Sequence, residues 1–225
     1  AITLLAGACL TLSDGPDVIC YVRNRAGYES LCQLLSAVMC RPGRTSKDAL
    51  VIHKGELARL SCDVELITVP PLHPDADYRA QCQQIDLITE ATIYAGAYLM
   101  RDGCDEARLE MLSRWAVADG FKLVALGYVL YHLPDRRPLA DLLSCIREKK
   151  VLQQAGYLLS RNAERHLLSP DEMVRRWRGY EMALKQADML AHRCQFSLSE
   201  ISYEYPDEVT GAHRTALQEL EYQTD

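Results

Sequence analysis

Short apolar runs alternate with amphipathic stretches through the first 126 residues of the chain, and the alternation predicts strands and helices in turn. The strand candidates are Thr3–Thr11, Val18–Val22, Val64–Val69, Thr92–Met100 and Lys122–Leu126. Helix candidates lie between them at Gly27–Met39, Lys47–Leu60, Ala76–Asp86 and Cys104–Asp119. In the last of these, Leu109, Leu112, Trp115 and Ala116 recur at helical spacing, so they form a face that packs on a sheet. Gly120 then stops the helix. Such alternation is the pattern of an α/β layer or barrel.

After Leu133 the period changes to threes and fours and the β-rich runs end. Pro138 occupies the first turn of a helix running through Leu142, Leu143 and Ile146. Ser169-Pro170-Asp171-Glu172 reads as a capping box with proline at the first helical position. Tyr180–Arg193 is amphipathic, with Ala183, Ala187, Leu190 and Ala191 inward. Pro206 and Gly211 mark a turn before a last helix ending near Tyr222. No repeat or low-complexity linker interrupts the chain, which therefore divides into an α/β unit over residues 1–133 and a helical extension over residues 134–225.

Composition narrows the function classes. A net charge of −6 argues against a surface built mainly to grip phosphate backbones, so DNA is expected to be met only indirectly. The nine cysteines are odd in number and include no C-x-x-C pair, which speaks against a disulfide framework or a zinc knuckle. They read as small buried apolar groups in a reducing cytoplasm. No apolar run is long enough to span a bilayer and no signal peptide precedes the first strand, so neither a membrane nor secretion is expected. There is no Gly-rich phosphate loop, no G-x-S-x-G elbow and no H-E-x-x-H.

Longer motifs are more specific. LAGACLTLSDGP precedes NRAGYESLCQLLS at Asn24–Ser36; LGYVLYHLPDRRPLADLLSCIREKK begins at Leu126; NAERHL covers Asn162–Leu167; RCQFSLSEISYEYPDE runs from Arg193 to Glu208. In this order they resemble the PHP domain (polymerase and histidinol phosphatase type) of bacterial family-C DNA polymerases, most closely the error-prone branch. The resemblance covers nearly the whole chain. It implies a PHP-type (β/α) barrel, incomplete here because the family's opening strand with His-x-His would precede residue 1. An open barrel edge would favour pairing with a second copy, so a homodimer is a further expectation.

Active PHP domains hold divalent metals at the carboxyl ends of barrel strands, and this chain departs from their ligand pattern. The family's Asp-x-His motif matches Tyr128 and Leu130; its Gly-x-Glu-Phe matches Gly7-Ala8-Cys9-Leu10, so Cys9 replaces a carboxylate. Phenol and leucine are poor or useless donors to hard cations. Cys9 and His132 are the remaining weak candidates for a soft metal, and no cofactor is expected. Arg136 and Arg137, with Arg147, Lys149 and Lys150, form a basic patch that could touch a partner; Arg165 and His166 sit in the NAERHL motif, His166 organising a loop. Arg175, Arg176 and Arg178 flank Trp177, which reads as an anchor packed beneath long charged side chains.

The resemblance thus implies a catalytically silent PHP domain of an error-prone polymerase. It would scaffold and dock the polymerase body or mutasome subunits in replication and damage-tolerant synthesis, in the bacterial cytoplasm. It would be inactive alone, because the polymerase carboxylates would lie beyond residue 225. Two other readings stay open: a standalone module that binds a polymerase or mutasome protein, and a residual metal-dependent phosphoesterase.

Overall fold

The computed structural model describes residues 3–41 and 51–202, together with positions 218, 222 and 224. Five strands form one sheet in the order β1 (Gly7–Leu10), β2 (Val18–Val22), β3 (Val64–Thr68), β4 (Thr92–Ala97) and β5 (Lys122–Ala125). β1, β2 and β3 pair antiparallel, with Ala8 opposite Cys20 and Cys20 opposite Leu66. β3, β4 and β5 pair parallel, with Leu66 opposite Ile93 and Ala95 opposite Leu123. The class is α/β; among the described residues the sheet is open, with β1 and β5 at its edges. β3 is buried along its whole length, as a central strand covered on both faces must be.

Helices α1 (Arg25–Met39), α2 (Ala76–Ile88) and α3 (Asp105–Asp119) link the strands. α1 starts two residues before the expected Gly27 because the Asn24 side chain accepts the Gly27 N–H at 3.0 Å. Glycine at position 27 is required sterically: a Cβ there would lie 2.4 Å from the Asp63 carbonyl oxygen. In α3 the expected face is buried through Leu109, Leu112 and Ala116, and Gly120 ends the helix with a left-handed φ of 77°. Of the expected Lys47–Leu60 helix, only a 3-10 turn at Lys54–Arg59 lies among the described residues, as 42–50 fall outside them. The turn at Pro206 and Gly211 also lies outside them.

Past β5 come α4 (Arg137–Arg147), α5 (Pro170–Arg176) and α6 (Glu181–Arg193). Ser169 caps α5 by accepting the Glu172 N–H, while the Glu172 carboxylate turns to Arg175 and Arg176 instead of closing a capping box. Leu190 of α6 and Cys194 pack on Ile67, Tyr94 and Val124 of the sheet. Trp177 and Ala183 join Ala97, Leu109, Leu112 and Ala125 in a second cluster. Burial of Trp177 removes it as a stacking platform for single strands. The C-terminal segment also reaches the amino-terminal side: Gln195 N donates to Arg23 O at 3.1 Å, and Phe196 stacks on Tyr28 at 4.8 Å. Arg193 meets the Glu65 carboxylate at 3.0 Å, with Arg23 at 3.6 Å from the same oxygen. α4 behaves differently: Leu139, Leu142, Leu143 and Ile146 face solvent, whereas Cys145 and the Arg137–Asp141 pair face inward. No described helix is long and apolar enough to cross a membrane.

Three acids of this core titrate late. Burial pushes the Cys20 thiol up to about 12, with nearby Cys9 adding to it. Burial and then the Glu65 charge lift Cys194 to about 11, and burial and then hydrogen bonding to Glu65 lift Tyr94 to about 12. All three are protonated in both states below the thiol's ordinary value of 9.0, where their contribution is complete. Above it the unfolded chain loses protons that the folded chain keeps, so stability falls as pH rises towards 12. Urea midpoints at pH 8 and pH 10.5 should differ, and Cys20→Val should flatten the dependence.

Candidate functional site

The carboxyl ends of β3, β4 and β5 point the same way, and ligand sites in parallel α/β sheets form beyond such ends. Here the three exits are joined by aromatic rings and guanidinium groups. Tyr98, just after β4, donates its hydroxyl to Pro70 O after β3 at 3.0 Å. Its ring stacks on Tyr128, after β5, with centroids 4.8 Å apart and planes 20° from parallel. The Arg165 guanidinium lies 3.9 Å from the Tyr128 ring centre, and its Nε donates to Tyr128 O at 3.0 Å. The Arg108 guanidinium lies 5.6 Å from the Tyr98 ring. Cations over aromatic faces at these distances are attracted by the ring quadrupole.

Each member of this chain of contacts is fixed by its own surroundings. Arg108 is buried and pairs with Asp102 at 3.1 Å and with Asp105, while donating to Leu72 O at 3.1 Å. Burial raises the Asp102 pKa, but the hydrogen bonds from Arg108 and the Cys104 N–H, with the Arg108 charge, together outweigh it and hold the carboxyl below its usual range. Tyr128 adopts a left-handed φ of 47°, which a ring-bearing residue takes only when its surroundings hold it there. The NAERHL motif supplies much of that hold. Asn162 donates to Met100 O at 2.6 Å, Leu130 N donates to Arg165 O at 2.8 Å, and Leu167 N donates to Tyr131 O at 3.0 Å. His166 Nδ1 sits 2.9 Å from Ala163 O within the same motif.

Two cavities flank the stack, and Tyr128 lines both. One, of about 400 Å³, brings together Cys9, Tyr21, Leu126, Tyr128 and Arg165. The other, of about 610 Å³, is lined by Asp17, His73, Asp75, Asp77, Tyr98 and Tyr128 among others. Cys9 and Tyr128 therefore share a cavity, while Leu130 and His132 are exposed. Burial and then the Asp17 charge raise the Cys9 pKa, which keeps the thiol protonated and a poor ligand. Asp75 is occupied in capping α2 through Tyr78 N at 3.0 Å, and Asp77 accepts from Gln81 at 2.7 Å. Among the described residues no three His, Cys, Asp or Glu side chains converge as a metal-holding group. Of the basic candidates, Arg137 donates to Ser160 O at 2.6 Å and pairs with Asp141, a structural use, whereas Arg136 is exposed.

Sequence reasoning missed Tyr98 and Arg108. Their only signal was an aromatic near the end of the expected Thr92–Met100 strand and an arginine in an otherwise apolar helix face. The coupling of Arg165 to Tyr128 is testable by a double-mutant cycle of Arg165→Ala and Tyr128→Leu in urea. A coupling energy of about 1 kcal/mol is expected; additive losses would mean that the stack contributes no pairwise stabilisation.

Curated relatives give the site its context. An error-prone DNA polymerase of Brucella abortus is 35% identical over 218 residues, which is 96% of this chain. The chain is homologous to a segment of error-prone DNA polymerases. Relatives with the same description from Bradyrhizobium diazoefficiens and Rhodopseudomonas palustris are 36% and 37% identical over 97% of the chain. The chain spans only 19–20% of the length of these three polymerases. No protein-family model matches it.

Proposed function

We propose that the chain is a catalytically silent PHP-type domain of an error-prone DNA polymerase, which braces the polymerase body and docks partner subunits in damage-tolerant synthesis. The observation that carries this reading is the stack at the strand exits. Tyr128 and Leu130 stand where the resemblance places Asp-x-His. The tyrosine is committed to Arg165 and Tyr98, and the leucine has no donor atom. Side chains of this kind do not fit a cluster of divalent cations, which needs several anionic or imidazole donors around one point. The cation–π chain instead ties together loops that active relatives would keep open for metals and substrate. On this reading the domain needs no cofactor, meets DNA only through its partners because its net charge is −6, and keeps its thiols reduced in the bacterial cytoplasm.

The test is metal content by mass spectrometry on protein purified without chelator, alongside hydrolysis of bis(p-nitrophenyl) phosphate. A metal-free, inactive protein is expected. Several ions per chain, with turnover that EDTA abolishes, would establish a phosphoesterase and end the silent-domain reading.

A further inference from the structure

We infer that the cavity between the free edge of β1 and the loop after β5 receives the carboxyl terminus of an extended peptide from a partner protein, with Arg165 as the group that holds its carboxylate. The inference rests on the docking reading above and names a surface and a partner chemistry for it. Two independent features meet in this cavity, one in the backbone of β1 and one in the side chains around it.

β1 is paired on one side only. Val22 N donates to Ala6 O, and bonded pairs alternate along an antiparallel ladder, so Ala8 and Leu10 commit their backbone groups to β2. Gly7 and Cys9 therefore turn their N–H and C=O groups away from β2, and these groups have no hydrogen bond among the described residues. Both residues are exposed, and both line the cavity of about 400 Å³. Donors and acceptors left free along a sheet edge are matched by an added strand, whose own backbone groups recur at the same two-residue spacing.

The side chains select how that strand ends. Among the described residues Arg165 is the one charged group on the cavity wall. Its Nε donates to Tyr128 O, while Nη1 and Nη2 have neither a hydrogen bond nor an ion pair among the described residues. The other polar side chains there, Cys9, Tyr21 and Tyr128, each carry an S–H or O–H, and none is a carboxylate. Burial above all raises the pKa of Cys9 and of Tyr21, so both keep those protons. Asp17, whose charge reaches Cys9, lines the other cavity instead. Donors around a guanidinium fork fit a planar carboxylate, and Leu5, Ile19, Leu126 and Val129 give the last side chain an apolar seat. A second copy does not supply this through its own edge, because the run from Thr3 to Ser13 around β1 contains no acidic residue.

The experiment is calorimetric titration of the 225-residue chain with acetyl-Ala-Val-Leu, with its carboxamide, and with the free acid methylated on its backbone nitrogens. The free acid should bind about tenfold more tightly than the carboxamide, which lacks the charge that Arg165 holds. It should also bind about tenfold more tightly than the methylated peptide, which cannot pair with β1. Salt at about 0.5 M should narrow the gap between acid and carboxamide. Arg165→Gln should bring the free acid down to the affinity of the carboxamide; the peptide comparisons use the unaltered chain and stand whether or not this variant folds.

Equal binding of acid and carboxamide, or binding of neither at millimolar concentration, would overturn the inference; in a metal-free, inactive chain that result leaves the silent-domain reading standing. A chain that holds divalent ions and hydrolyses the phosphodiester would remove that reading and this inference with it. Acid-selective binding that methylation leaves unchanged would overturn the added strand. Acetyl-Ala-Val-Asp-amide binding as tightly as the free acid would overturn the chain terminus as the source of the carboxylate.

Discussion

Trp177→Ala should lower stability by about 3–5 kcal/mol, the usual cost of emptying a buried aromatic site. Trp177 is 1% exposed and packs against Ala97, Leu109, Leu112, Ala125 and Ala183. Four of these come from two strand ends and the buried face of α3, so a cavity there loosens the contact between the sheet and everything after β5. For a chain of this size the expected fall in melting temperature is about 10 °C, read by circular dichroism. The only other tryptophan, Trp115, is partly exposed beneath Arg79, and its alanine variant should cost much less. Equal losses at the two positions would contradict the packing described for α5 and α6.

Glu65→Ala should cost about 3 kcal/mol for a different reason. The Glu65 carboxylate is 1% exposed on the central strand and is the shared counter-ion of Arg193 and Arg23. Removing it leaves two partly exposed guanidinium groups without their carboxylate; Arg193 keeps the Tyr94 hydroxyl and ring, and Arg23 keeps Cys62 O. Because the penalty comes from uncompensated charge, Glu65→Ala combined with Arg193→Met should be less destabilising than the sum of the two single changes. Urea unfolding of the four proteins measures this directly. Strict additivity would show that the pair does not act as a unit.

How much of this was legible in the sequence depended on whether a feature was local. All five strands fall where the apolar runs placed them, but four ended sooner. Of Thr3–Thr11 only Gly7–Leu10 pairs, because β1 is an edge strand with one neighbour. Thr92–Met100 stops at Ala97 because Tyr98 leaves the ladder to reach Pro70 and Tyr128. The α4 leucines illustrate a sharper limit: periodicity gives the spacing of a stripe and says nothing of which side the core is on. At the site, the departures at Cys9 and Tyr128 were readable against a family pattern, and the structure places both on one cavity. What fills the site instead was hidden. Arg165 is 37 residues from Tyr128 in the chain, and nothing short of the folded loops brings the guanidinium over the ring.

The long reach of Arg193, Gln195 and Phe196 back to Glu65, Arg23 and Tyr28 also sets an order of events during synthesis. β2 and β3 leave the ribosome early, yet the second guanidinium partner of Glu65 and the ring that covers the Tyr28 side of α1 are made some 130 residues later. At ordinary elongation rates that gap lasts on the order of ten seconds. Through that interval the Glu65 carboxylate has Arg23 as its counter-ion, and its second guanidinium partner, Arg193, is still to come. Completion of the fold is thereby deferred until the segment around residue 196 arrives, which makes α6 and the turn after it the closing step rather than an appendage.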